Sequence, residues 1–143
     1  MSLNIIALFC EDIREEKSNA ETFVGVLPSN LSVPAFPSGL PKLGIHCRFL
    51  FPVDFPDFEA EVFLRASWGQ RVEMGTVGRE LVAQAKRETL AINLPVASVI
   101  IKVLIVPMPL PGPGRIEIVV KRDDTESVCG AIAIRSASTP PVS

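Results

Sequence analysis

Apolar and polar residues alternate with a period of two along most of this chain, and the pattern is cleanest between Leu43 and Trp68. Leu43, Ile45, Cys47, Phe49 and Phe51 fall on one face of the first run, with His46 and Arg48 on the other. After the bend PVDFP, Phe58, Ala60, Val62, Leu64, Ala66 and Trp68 share a face, while Glu59, Glu61 and Arg65 point away. Such alternation marks half-buried strands. The simplest arrangement makes the two runs adjacent antiparallel strands, each giving one side to a common core. Pro52 and Pro56 make their connection a corner instead of a two-residue hairpin.

The rest of the chain supplies further strands around that pair. LNIIALFC at 3–10 reads as a buried strand, followed by a charged connection from Glu11 to Glu21 whose single apolar Ile13 could not anchor a long helix. Thr22–Leu27 is a strand with Gly25 at a bulge or a close approach. Leu31–Val33 is a short strand, and PAFPSGLP a stiff loop. Arg71–Gly75 is a strand. The following GRELVAQAKRETLA holds good helix formers, with Leu81, Val82, Ala85 and Thr89 on one face, so a short helix is placed near 79–88. Val99–Val106 is a β-branched central strand, and the proline run 107–114 a rigid loop outside any ladder. Arg115–Lys121 and Val128–Ile134 flank a polar hairpin turn. About eight or nine short strands with regular turn signals predict an all-β fold, a single antiparallel β-sandwich of immunoglobulin-like type over 1–135. A small β-barrel is the alternative. Residues 136–143, SASTPPVS, read as a disordered tail.

Composition narrows the function classes. In 143 residues, 48% apolar, net charge is −2 and no basic run exceeds two residues, which argues against nucleic acid as a partner. The cysteines Cys10, Cys47 and Cys129 have no metal-ligand spacing, and His46 is the sole histidine, so neither a zinc site nor a disulfide framework is expected. Cys47, on an apolar face, reads as a small buried thiol. The run Leu3–Cys10 is too short to span a bilayer and lacks a basic start, so no membrane association is expected and the chain reads as cytoplasmic.

Three segments are similar to a group of small bacterial and phage-encoded proteins of uncharacterised function. They are FCEDIREEKSNAETFVGVL at 9–27, LPKLGIHCRF at 40–49 and PGPGRIEIVVKRDDTESVCGAIAI at 111–134. The resemblance implies one β-sandwich and no known activity. One departure is that Arg115 and Ile116 follow Gly114, where an aromatic residue is expected.

Catalytic constellations are thin. Any Ser-His-Asp or Cys-His unit must use His46, which alternation places on the polar face with Arg48. Glu59 and Glu61 lie roughly 7 Å apart side by side on one strand, the geometry of a solvated face and not of a cleft. The acids Glu11, Asp12, Glu15 and Glu16 lack calcium-loop spacing and are interrupted by Arg14. No catalytic residue, metal ligand or cofactor is therefore assigned. Phe63, Leu104 and Val119 stand opposite the core face on three strands and are the candidate interface. The sequence thus predicts a non-enzymatic binding module that self-associates or docks a protein partner. The alternative is a binder or sequestering protein for a small anionic ligand, using Arg48, Arg65 and Lys102 at a subunit interface.

Overall fold

The two alternating runs that organise the sequence lie in opposite sheets. The computed structural model describes residues 2–137. In chain order these form β1 (Asn4–Glu15), β2 (Glu21–Val26), β3 (Asn30–Val33), β4 (Ser38–Leu40), β5 (Leu43–Pro52), β6 (Ala60–Ala66), β7 (Arg71–Val77), α1 (Arg79–Ala91), β8 (Val96–Ile105), β9 (Met108–Leu110), β10 (Gly114–Arg122) and β11 (Thr125–Ser136). One sheet has the order β2-β1-β5-β8 and the other β3-β11-β10-β6-β7, with β4 and β9 as a separate ribbon. Every pairing is antiparallel except β3 with β11. Neither sheet closes on itself, so the architecture is a sandwich and not a barrel.

β5 and β6 do not pair, contrary to the expectation for adjacent strands. The corner at 53–59 carries the chain across the thickness of the sandwich, roughly 10 Å. The neighbours of β5 are instead β1 and β8, and those of β6 are β10 and β7. The common core is as the alternation requires. Leu43, Ile45, Cys47, Phe49 and Phe51 from one sheet are fully buried against Val62, Leu64, Ile116 and Ile118 from the other. Phe58 locks the corner, its ring 5.3 Å from Phe51 and 6.1 Å from Phe49. Edge-to-face and offset ring pairs of this kind add to what their buried area contributes.

Five local expectations need correction. The strand expected to be central at 99–106 is β8, at the edge of its sheet, because only β5 pairs with it among the described residues. β1 runs on to Glu15 where a solvated connection was expected, because β2 pairs with it from Cys10 to Glu15 and satisfies its backbone. The proline-rich segments at 34–41 and 107–114 do join a ladder: Ser38–Leu40 pairs with Met108–Leu110 in a short ribbon that buries Met108 and Leu110. Pro109 faces Gly39 there, in a two-stranded edge that asks little of its missing N–H. The helix at 79–91 extends past 88, and its buried side is Val82, with Ala85 packed on the core, while Leu81 is exposed. Lys86 fixes it by donating to the Phe55 carbonyl at 2.8 Å and pairing with Asp57. Ser136 closes β11 and the Ala137 N–H donates to the Val33 carbonyl at 2.7 Å, so the expected tail starts too early. Residues 138–143 of that tail lie outside the described residues.

Candidate functional site

Shared register turns the outer face of the four-stranded sheet into straight rows. Ile6, Arg48 and Ile100 form one row across β1, β5 and β8. Leu8, His46 and Lys102 form the next, and Cys10, Gly44 and Leu104 the one after. Ile6, Ile100 and Leu104 are 54%, 43% and 40% exposed. The apolar exposure continues along the chain through Leu90, Ile92, Leu94 and Val96 into β8, and out through Val106. A soluble fold buries such residues unless something else covers them.

A charged cluster borders this strip. β1 and β2 both change face beside Gly25, whose φ of +62° and missing Cβ let the Glu11 side chain lie against it. Beyond that point Glu15, Glu21 and Phe23 stand on the same side as His46. Lys102 Nζ donates to Glu15 and to Glu21, 2.7 Å each. These bonds hold the Glu15 carboxyl below and the Lys102 ammonium above their usual ranges. His46 Nε2 lies 3.5 Å from Glu21, and the Phe23 ring packs edge-on at 4.9 Å. Burial pushes the imidazole below its ordinary range, Glu21 opposes this, and Arg48 adds to it. Among the described residues the partners of the ring are the Glu21 carboxylate and the Phe23 ring.

The residues assigned from sequence do not converge. Arg48 and Lys102 share the outer face of the four-stranded sheet, but Arg65 is on the outer face of the other sheet, bound to Glu117 at 3.4 Å and Glu126 at 3.3 Å. Leu104 is exposed as expected. Phe63 and Val119 are not: they are ladder partners on β6 and β10, and are 1% and 0% exposed. The Arg71 guanidinium sits 3.7 Å over the Phe63 ring, and long charged side chains of that face cover it while their ends stay in water. The three residues therefore form no single patch. Glu59 and Glu61 line an acidic cavity of about 260 Å³ with Asp123, Asp124 and Lys121.

Comparison with known proteins adds one fact. A family model described as a family of unknown function, DUF6941, matches residues 5–135. The chain belongs to the DUF6941 family. The resemblance of the segments at 9–27, 40–49 and 111–134 to proteins of uncharacterised function agrees with this match. The match runs from the start of β1 to the end of β11, so both sheets, α1 and the whole outer face just described lie inside the DUF6941 domain. No curated protein matches the chain. Among the described residues no helix is long and apolar enough to cross a membrane, and no group of three or more His, Cys, Asp or Glu side chains is placed to hold a metal ion.

Sequence reading missed Glu15, Glu21 and Phe23 of this DUF6941 protein as partners of His46 and Lys102. The charge density of EDIREEK masks the strand that carries Glu15. The signal that is present is the i, i+2 spacing that puts Ile13 and Glu15 on one strand face, weak beside the charged run Arg14–Lys17.

Proposed function

We propose that this protein is a non-enzymatic interaction module that self-associates through the edge of its four-stranded sheet, within a bacterial or phage-infected cell. The observation that carries this reading is β8. It is a ten-residue edge strand, paired only with β5 among the described residues, and it is apolar on both faces with one charge, Lys102. Edge strands are ordinarily blunted by charge, bulges or shortness. The other long edge of the molecule follows that rule: β7 carries Arg71 and Glu73 and a bulge opposite Val62 and Phe63. β3 is four residues long. β8 is long and unbulged, and its one charge, Lys102, is already paired with Glu15 and Glu21.

A second copy fits this edge in one register best. A twofold axis at Ile100, perpendicular to the sheet, sets Ile100 against its counterpart, Val96 opposite Leu104, and Lys102 opposite Ser98. A shift of one pair, to an axis at Lys102, sets two ammonium groups against each other, which is unfavourable. The favoured register joins two four-stranded sheets into one continuous sheet and covers the exposed apolar side chains of β8. α1 is tied to the corner at 53–59 and also packs against β8.

Small-anion binding has less support. Lys102 is taken by Glu15 and Glu21, and Arg65 by Glu117 and Glu126, which leaves only Arg48 of the three without an ion pair among the described residues. Native mass spectrometry tests both readings in one spectrum. A dimer without added mass supports self-association, a reproducible extra mass supports the ligand, and a monomer at all concentrations rejects the proposal.

A further inference from the structure

The five-stranded sheet carries an extra residue where β11 passes the middle of β10. Ile118 faces Gly130 and Val119 faces Val128, which leaves Cys129 between them with no ladder partner. A bulge of this kind re-aims a side chain. Val128 goes outward, 50% exposed, and Cys129 packs against the core with its Sγ 3.4 Å from the Ile118 carbonyl. The sheets come close at the same place. A Cβ on Gly130 would stand 2.9 Å from the Cβ of Ala7, and Ala7 is the ladder partner of Cys47. Cys47 points inward from β5, fully buried.

The two thiols thus meet across the sandwich from opposite sheets. Hydrogen bonding with Cys129, and then burial, pushes the Cys47 thiol up. The same bond brings the Cys129 thiol down, against the effect of burial. Cys129 also lines a cavity of about 420 Å³ with Leu3, Ile5, Arg122 and Ser127, and is only partly buried, whereas Cys47 is fully buried and does not line it.

We propose that Cys47 and Cys129 are an oxidisable dithiol that closes into an intersheet disulfide on reaction with hydrogen peroxide. The Cys129 thiolate attacks one peroxide oxygen, the O–O bond breaks, and the departing hydroxide leaves as water with the thiol proton. The resulting sulfenic acid is attacked by Cys47. The S–S bond forms as the S–O bond breaks, and the second hydroxide leaves as water with the Cys47 proton. Two thiols are oxidised by two electrons and one peroxide is reduced to two waters. Cys10 takes no part. Its Sγ lies on the other side of the four-stranded sheet, 3.7 Å from the Gly44 carbonyl, and burial pushes its thiol up.

The test treats the folded full chain with hydrogen peroxide, blocks the remaining thiols by alkylation under denaturing conditions, and reads intact mass and a peptide map. The expected result is a loss of two hydrogen masses in the monomer, one linked peptide pair containing Cys47 and Cys129, and Cys10 alkylated. Cys129→Ser abolishes the loss. The wild-type map stands by itself even if that variant folds poorly. Peroxide that leaves all three thiols free, that halts at sulfinic acid on Cys129, or that links two chains through Cys129 overturns the proposal.

Discussion

His46 is the residue at which burial and charge compete most directly. Its folded value lies below the ordinary 6.5, because burial outweighs the attraction of Glu21. Between those two values the unfolded chain binds more protons than the folded one, so stability rises with pH through that window and is lost as pH falls through 6.5 toward the folded value. Urea unfolding midpoints between about pH 5 and 7 should therefore fall more steeply on acidification in the wild type than in His46→Gln. Phe63 carries a second residue-scale test. Phe63→Ala should destabilise by about 3–5 kcal/mol, as for a core ring and not a surface one. A double-mutant cycle with Arg71→Ala should show coupling of about 0.5–2 kcal/mol from the guanidinium over the ring. A Phe63→Ala effect of a few tenths would place that ring in solvent.

At the scale of elements, a bulge and a glycine set the spacing between sheets. Gly130 faces Ala7 because β1 and β11 come closer there than two Cβ atoms allow. Gly130→Val should destabilise by about 1–3 kcal/mol through overpacking, measured as a shift in urea midpoint with an unchanged slope. Because Cys129 owes its inward direction to the same bulge, that variant should also slow formation of the Cys47–Cys129 link. Much of the element level was legible. The strands at 21–26, 30–33, 43–52, 60–66, 71–77, 96–105 and 114–122 follow from alternation or β-branched runs, and the polar turn at Asp123 and Asp124 from residues that tolerate positive φ, here +51° and +63°. The ribbon of β4 and β9 was not legible, since proline suppresses the strand signal and the pairing joins segments distant in sequence.

For the whole molecule, the proposed consequence of the β8 edge is association. Ile100→Asp should convert a dimer to a monomer without loss of the far-ultraviolet strand spectrum, since a charge opposite its own copy is doubly unfavourable and Ile100 is already 43% exposed in the single chain. The mirror experiment is Ile100→Cys. The proposed axis places two copies of this residue face to face, so oxidation should link the dimer. An unlinked dimer would reject the register and keep the association, whereas a dimer untouched by Ile100→Asp would move the contact to another surface.

The sequence by itself determined the class of fold, the inward-facing residues of β5, β6 and β10 and the thinness of the catalytic inventory, because side-chain period and residue chemistry are local properties. It determined little of what meets what. That Phe63 and Val119 are roofed by charged side chains, that Arg65 is separated from Arg48 and Lys102 by the full thickness of the sandwich, and that Cys47 and Cys129 face each other are consequences of strand order and register. Those depend on contacts between distant segments. An alternating strand signals which face is apolar, but only its neighbours decide whether that face looks into the core, beneath an arginine or out to a second molecule.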